Sequence, residues 1–335
     1  MWVPARWVAD AMKGLPDTRV EVVNPADFGG EADIPGSVAD VEFYVPPFLG
    51  PAAVAEVMRL MPRLRVVQAL TAGVDRLRPY VPAGVLLCNA RGAHDAVTAE
   101  WVVGAIVAAQ RDFPFFGREQ AAGRWSYQQT AELAEKTVLI VGYGSIGAAV
   151  ERRLAGFEVS VVRVARRPRP GCAAGGPGGD GGGERGGDGG EERGGDGGEK
   201  EVHGLGALPG LLPSADVVVL TVPFTPETSG MADAGFLARM KDGALLVNAA
   251  RGPVVVTDAL VAEVASGRLR AAMDVTDPEP LPPGHPLWSL PGAFITPHVG
   301  ASTPVSLRRA AELARRQAAA YLRGEPLQNV ITGTY

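Results

Sequence analysis

The sequence predicts an α/β fold of two domains, each a parallel sheet flanked by helices, with a cleft between them. Three observations lead there. Short apolar runs alternate with helical patterns along the chain, the pattern of parallel sheets built from strand–helix–strand units. The runs form two series separated by one long apolar stretch. The length, 335 residues, exceeds one ordinary domain and suits two.

The first series comprises WVP (2–4), VEVV (20–23), EFYVP (42–46), RVVQAL (65–70) and VLLCNA (85–90). Between its third and fourth runs, PAAVAEVMRLMP (51–62) reads as a helix, with Pro51 at its start. VTAEWVVGAIVAAQRDFPFF (97–116) follows as one almost wholly apolar helix, which must be buried on most faces. It is expected to be an interdomain core helix and part of a homodimer interface. The second series comprises TVLIVG (137–142), VSVVRVA (159–165), DVVVLTVP (216–223), ALLVNAA (244–250), AAMDVT (271–276) and AFITP (293–297). Its six runs suit one dinucleotide-binding domain. An amphipathic stretch, 306–326, ends at Gly324 and is expected to pack back on the first domain. The predicted division is therefore 1–93 completed by 300–335, and 94–299.

Residues 178–201 are three tandem octapeptides, GGDGGGER, GGDGGEER and GGDGGEKE. They offer no apolar group to bury, so 171–201 is expected to be a disordered insertion in the second domain. The formal charge of the octapeptides equals that of the whole chain, −5, so the remainder is neutral overall. That balance argues against a nucleic-acid partner, which calls for a basic surface. No apolar run reaches the ~20 residues needed to span a bilayer. The N-terminal MWVPARWVAD lacks the apolar core of a secretion signal. Two cysteines, Cys88 and Cys172, imply no disulfide framework. A soluble, cytoplasmic protein with no resident metal is expected.

Gly142-Tyr-Gly-Ser-Ile-Gly147 follows the run TVLIV and opens the helical pattern AAVERRLAG. In that context a G-x-G-x-x-G is a dinucleotide-binding turn. Gly142 permits the tight turn, Gly144 lets the backbone approach a pyrophosphate, and Gly147 lets helix and strand pack closely. The next run usually ends in an acid that binds the ribose 2′-hydroxyl. Here Ala165 stands near that position, followed by Arg166, Arg167 and Arg169. Guanidinium groups favour a 2′-phosphate that a carboxylate would repel, so NADP is expected ahead of NAD.

Three runs of the second series end beside polar groups of complementary type: Arg251 after ALLVNAA, Glu279 after AAMDVT, and His298 after AFITP. In an open α/β sheet, ligands bind outside the carboxyl ends of the strands. An arginine holds a carboxylate with two parallel hydrogen bonds. A histidine moves a proton near neutral pH, and a neighbouring glutamate orients it. With a hydride source upstream, this equipment suits reduction of a 2-keto acid.

GYGSIG, the TVP of DVVVLTVP, NAARG, MDV, DPEPLP, HPLW and TPHVG occur in this order. Together they resemble the D-isomer-specific 2-hydroxyacid dehydrogenases, over nearly the whole chain except the octapeptides. The resemblance implies two Rossmann-like or flavodoxin-like domains. It implies substrate-carboxylate binding by Arg251, acid/base work by His298, and Glu279 as the partner of that histidine. It implies that Asp274 lies near the nicotinamide carboxamide, and that Ala72, Gly73 and Val74 form a first-domain loop holding the substrate carboxylate through backbone N–H groups. Ser145, Ile146, Val222, Pro223, Thr228, Ala249 and Gly300 fall at cofactor positions. One departure is Thr276, where many relatives carry an aromatic residue. The expected reaction interconverts a small 2-keto acid, of the glyoxylate or hydroxypyruvate type, and its D-2-hydroxy acid. The alternatives are a formate- or phosphite-type dehydrogenase on the same fold, and a non-catalytic dinucleotide-sensing module.

Overall fold

A computed structural model describes residues 1–28, 33–48, 51–170 and 200–332. The expected insertion therefore lies, for 171–199, outside the described residues. All eleven apolar runs are strands, although shorter than the runs themselves.

The first sheet contains β1 (Trp2–Val3), β2 (Glu21–Val22), β3 (Phe43–Tyr44), β4 (Val66–Gln68) and β5 (Leu86–Cys88), in the order β2-β1-β3-β4-β5, with every pair parallel. This is the flavodoxin-like order. Helix α1 (Arg6–Ala11) covers one face and α2 (Pro51–Arg59) the other. Phe43 and Val45 point into the α1 layer while Tyr44 points into the α2 layer, as the strand period of two requires.

The second sheet contains β6 (Thr137–Val141), β7 (Ser160–Val164), β8 (Val217–Leu220), β9 (Leu245–Asn248), β10 (Arg270–Met273) and β11 (Ala293–Ile295), in the order β11-β10-β9-β8-β6-β7, again parallel. Beyond β7, His203 adds a single parallel rung to Val164. Val138 and Ile140 pack on one face, Leu139 and Val141 on the other, and none is more than 1% exposed. Burial on both faces is why a parallel strand reads as a continuous apolar run. Helices α3 (Asp95–Gln110) and α5 (Ser145–Leu154) cover one face. The other is covered by α6 (Leu208–Leu211), α7 (Ala234–Arg239) and α8 (Thr257–Ala265).

The stretch expected to be one helix over 97–116 is two. Helix α3 stops at Gln110, Asp112 takes φ +51°, and α4 (Phe113–Ala121) begins anew. Pro114 is the reason: it cannot donate back to the carbonyl of Gln110, and its ring crowds the preceding turn.

The last helix, α9 (Pro304–Leu322), returns to the first sheet. Its Ala310, Leu313, Ala314 and Ala318 join Val8, Met12 and Phe43 in one core cluster. Beyond it, Ile331 N–H donates to Leu87 O at 2.8 Å, so the end of the chain runs along β5. The chain thus crosses between the two sheets near His94 and again near Ser306.

Candidate active site

The sheet order reverses between β6 and β8, and a crevice opens beyond their carboxyl ends. Gly142, at φ +103°, turns the chain there. A Cβ on Gly142 would stand 2.6 Å from the Thr221 carbonyl carbon, so no other residue lets the turn lie against β8. A Cβ on Gly147 would meet Gly142 O and Ile140 Cγ2 at 3.0 Å, which is the close helix–strand packing expected of it. Nothing but Gly142 O, at 3.9 Å, approaches the corresponding point on Gly144. That position faces open space, and it caps α5, whose first turn begins at Ser145 and Ile146. A helix N-terminus with bare backbone in front of it suits a pyrophosphate, so the residues fit a dinucleotide.

Val222 is buried and Pro223 exposed at the end of β8. Thr228 shapes the turn after them. Its hydroxyl donates to Pro223 O at 2.6 Å and accepts from Thr225 N–H at 2.9 Å. Ala249 continues β9 with a backbone bond to Leu220 O. Beyond β7, Ala165 is bonded to His203 O, and Arg166 and Arg167 are exposed.

His298 and Glu279 meet as expected, with His298 Nδ1 2.6 Å from Glu279 Oε1. His298 has φ +55°, a left-handed conformation that costs a non-glycine residue energy unless its surroundings impose it. Asp274 imposes it. Its backbone carbonyl accepts His298 N–H at 2.7 Å, Oδ1 accepts Val299 N–H at 2.9 Å, and Oδ2 accepts Gly300 N–H at 2.8 Å. The Thr296 hydroxyl donates to Oδ1 as well, at 2.6 Å. Asp274 is 5% exposed, and its carboxylate is committed to the loop that carries the histidine. Gly300 must be glycine, because a Cβ would stand 2.7 Å from Asp274 Oδ2.

Arg251 reaches the first domain. A Cβ built on Gly73 would fall 1.6 Å from Arg251 Nη2, so the guanidinium lies against the Ala72–Gly73–Val74 backbone. The loop is pinned by its carbonyls. Ala72 O accepts from Asn89 Nδ2, Gly73 O from the Thr71 hydroxyl, and Val74 O from the Leu77 and Arg78 amides. Arg251 Nε donates to Asp75 Oδ1 at 3.1 Å, and Nη1 to Ala250 O at 2.8 Å.

Asn248, at the end of β9, sets the backbone of this turn. It accepts from Ala250 N–H and donates to Arg251 O, both at 3.0 Å. A Cβ on Gly252 would lie 1.9 Å from Thr276 O, so the arginine turn rests on the β10 turn that leads to Glu279. Thr276 donates its hydroxyl to Pro278 O at 2.9 Å and so holds that turn. The three strand ends therefore converge, and the first-domain loop closes the opposite side.

Asp75 and Asn248 carry no signal in the sequence beyond their proximity to Gly73 and Arg251. Tyr44, expected among loops that set pocket size, is wholly buried in the first-domain core. The strand period turns it towards α2. Trp288 is 53% exposed and donates its indole N–H to Pro282 O at 2.9 Å.

The sequence profile described as "D-isomer specific 2-hydroxyacid dehydrogenase, NAD binding domain" matches residues 103–175 and 195–300. The chain belongs to that family. It is an NAD(P)-dependent oxidoreductase acting on the CH–OH group of donors. It is 33% identical over 273 residues to a glyoxylate reductase/hydroxypyruvate reductase of Mus musculus, covering 79% of this chain and 76% of that protein. It is 31% identical over 280 residues to a glyoxylate reductase of Thermofilum pendens, covering 81% and 76%. The solved structure of a D-isomer specific 2-hydroxyacid dehydrogenase from Xanthobacter autotrophicus Py2, in complex with NADPH and MES, superposes with a TM-score of 0.77. The two are 29% identical, over 98% of this chain and 95% of that one. In this dehydrogenase, no helix among the described residues is long and apolar enough to cross a membrane. No group of three or more His, Cys, Asp or Glu among them could hold a metal ion.

Proposed function

We propose that the protein reduces a small 2-keto acid of the glyoxylate or hydroxypyruvate type to its D-2-hydroxy acid, with NADPH preferred. The observation that carries this reading is the convergence of a carboxylate-binding arginine and a histidine–carboxylate pair beside a dinucleotide crevice. The relatives named glyoxylate reductase and hydroxypyruvate reductase support the substrate class. The missing acid after β7, the exposed Arg166 and Arg167, and the NADPH-bound neighbour support the cofactor preference.

The bound nicotinamide dinucleotide supplies the hydride. The chain does the rest. Arg251 and the Ala72–Gly73–Val74 loop bind the substrate carboxylate and fix one face of the keto group, and orientation alone lowers the barrier. His298 Nδ1 is held by Glu279, so Nε2 is the nitrogen that gives its proton to the carbonyl oxygen as the carbon is reduced. Glu279 stabilises the imidazolium before that transfer. Asp274 keeps the His298 loop in its left-handed turn.

The functional unit is a cytoplasmic homodimer. Val103, Val107 and Ala108 of α3 are half-buried, Phe113 of α4 is 56% exposed, and Trp125 and Tyr127 beyond it are 99% and 90% exposed. A second copy covering these groups would remove a large apolar area from water. Light scattering of the purified chain should give twice the monomer mass.

A panel of 2-keto acids assayed with NADPH and with NADH tests the activity. Glyoxylate and hydroxypyruvate should be the best substrates, with higher kcat/KM for NADPH. No turnover on any keto acid would remove the reading.

A further inference from the structure

Glu151, on α5, is 7% exposed, and a buried carboxylate is costly unless several donors meet it. Arg163 of β7 meets it with a fork, through Nε at 2.8 Å and through Nη2. Lys200 Nζ donates at 2.6 Å, and the Tyr143 hydroxyl donates to the same carboxylate. Burial pushes the Glu151 carboxyl up, but the donors outweigh it and hold it down at about 2. The phenol of Tyr143, inside the glycine turn, is therefore fastened to an anion that stays ionised.

The amides of Gly142 and Tyr143 both donate to Val164 O at 2.9 Å, which sets the Tyr143 ring beside the end of β7. That strand end is where the adenosine ribose of a dinucleotide is read. Arg169 lies over the ring, with Cζ 5.8 Å from its centroid and Nη2 donating to Tyr143 O at 3.3 Å. Its backbone is bonded to Val202 in both directions at 2.9 Å, so its place in the chain is fixed as well. Arg163 stands over the same ring at 5.7 Å, but its guanidinium is committed to Glu151. Arg166 and Arg167 extend from the strand end as exposed side chains.

We propose that Arg169, seated on Tyr143, is a specificity-determining residue that reads the 2′-phosphate of the cofactor's adenosine ribose. This rests on the reading of the protein as NADPH-preferring. A planar guanidinium meets a phosphate with two parallel hydrogen bonds, and a 2′-hydroxyl offers no such gain. An arginine already stacked loses less freedom on binding than one extended into water.

Calorimetric titration with adenosine 2′,5′-bisphosphate and with 5′-AMP tests this on the full chain without any turnover. The wild type should bind the bisphosphate more tightly than 5′-AMP. Arg169→Ala should weaken the bisphosphate by about tenfold and leave 5′-AMP in place. Arg169→Lys should fall between, and Arg166→Ala and Arg167→Ala should each cost less than Arg169→Ala. If the wild type prefers the bisphosphate and Arg169→Ala keeps that preference, the assignment of Arg169 is overturned while the cofactor reading stands. If the wild type shows no preference, the cofactor reading fails and the assignment with it.

Discussion

Arg251 of the nucleotide-binding domain donates its Nε–H to Asp75 of the substrate domain at 3.1 Å, across 176 positions of sequence. The bond does more than join the domains. With Nε on Asp75 and Nη1 on Ala250 O, the guanidinium plane is fixed, and its Nη2 corner rests against Gly73. Side-chain exposures of 24% for the arginine and 16% for the aspartate put the pair where screening is partial. Asp75→Ala should therefore raise KM for the keto acid by about tenfold, the scale of one lost hydrogen bond to a charged group. Asp75→Asn keeps an acceptor oxygen and should recover part of that loss. KM for NADPH should move in neither variant; a common shift of both KM values would indicate general loosening instead.

His298→Ala removes the proton donor, and general acid–base catalysis contributes roughly 10²–10⁴-fold. Turnover should fall by that order while cofactor affinity, followed by nicotinamide fluorescence, stays near the wild type. Glu279→Gln keeps a hydrogen-bonding group on Nδ1 but loses the charge that stabilises the imidazolium. It should lower kcat less than His298→Ala does, and more so at higher pH. Retained turnover in His298→Ala would remove the histidine from the chemistry.

Gly252 and Gly300 are predicted to tolerate no side chain, for a reason visible only in three dimensions. The first would drive a Cβ to 1.9 Å from Thr276 O and the second to 2.7 Å from Asp274 Oδ2. Gly252→Ala must push the arginine turn away from the β10 turn, so it should lower both Tm and kcat. Gly300→Ala breaks the mooring of the His298 loop and should lower kcat. Gly206→Ala, with nothing within 4 Å of the added carbon, is the control and should leave kcat in place.

The strands were legible because burial on both faces demands unbroken apolar runs, and Val138 to Val141 show it. The trio was legible because each member follows such a run, and the fold rule sends those ends to one crevice. The Asp75–Arg251 pair was not, since nothing local in LTAGVD tells a cross-domain partner from a solvated acid. The break at Asp112 was signalled by Pro114 but outweighed by the apolar stretch around it. The short helices α6 and α7 have too few residues to show a helical period. Arg166, Arg167 and Arg169 are equivalent as charges, and only the Tyr143 ring distinguishes one of them.

The junction between the domains makes stability depend on pH. His94 is 6% exposed, with Nε2 2.7 Å from Leu70 O and Nδ1 2.5 Å from the Ser306 hydroxyl. A carbonyl only accepts, so Nε2 carries the proton, and the neutral ring accepts at Nδ1 from Ser306. Through these bonds one imidazole ties the end of β4 to the start of α9, beside both crossings between the domains. Burial lowers its pKa below the ordinary 6.5, although the Leu70 carbonyl and Asp95 pull the other way. The unfolded chain therefore takes up a proton at His94 near pH 6.5, while the folded chain resists until lower pH. Stability from this site is complete above pH 6.5 and is lost as the pH falls below it. His94→Gln places an amide N–H where Nε2–H was, without a titrating group. Its Tm should lie below that of the wild type above pH 6.5 and should fall less steeply below it. Differential scanning calorimetry of the two proteins on both sides of that pH gives the slopes, and parallel curves would show that His94 does not carry the dependence.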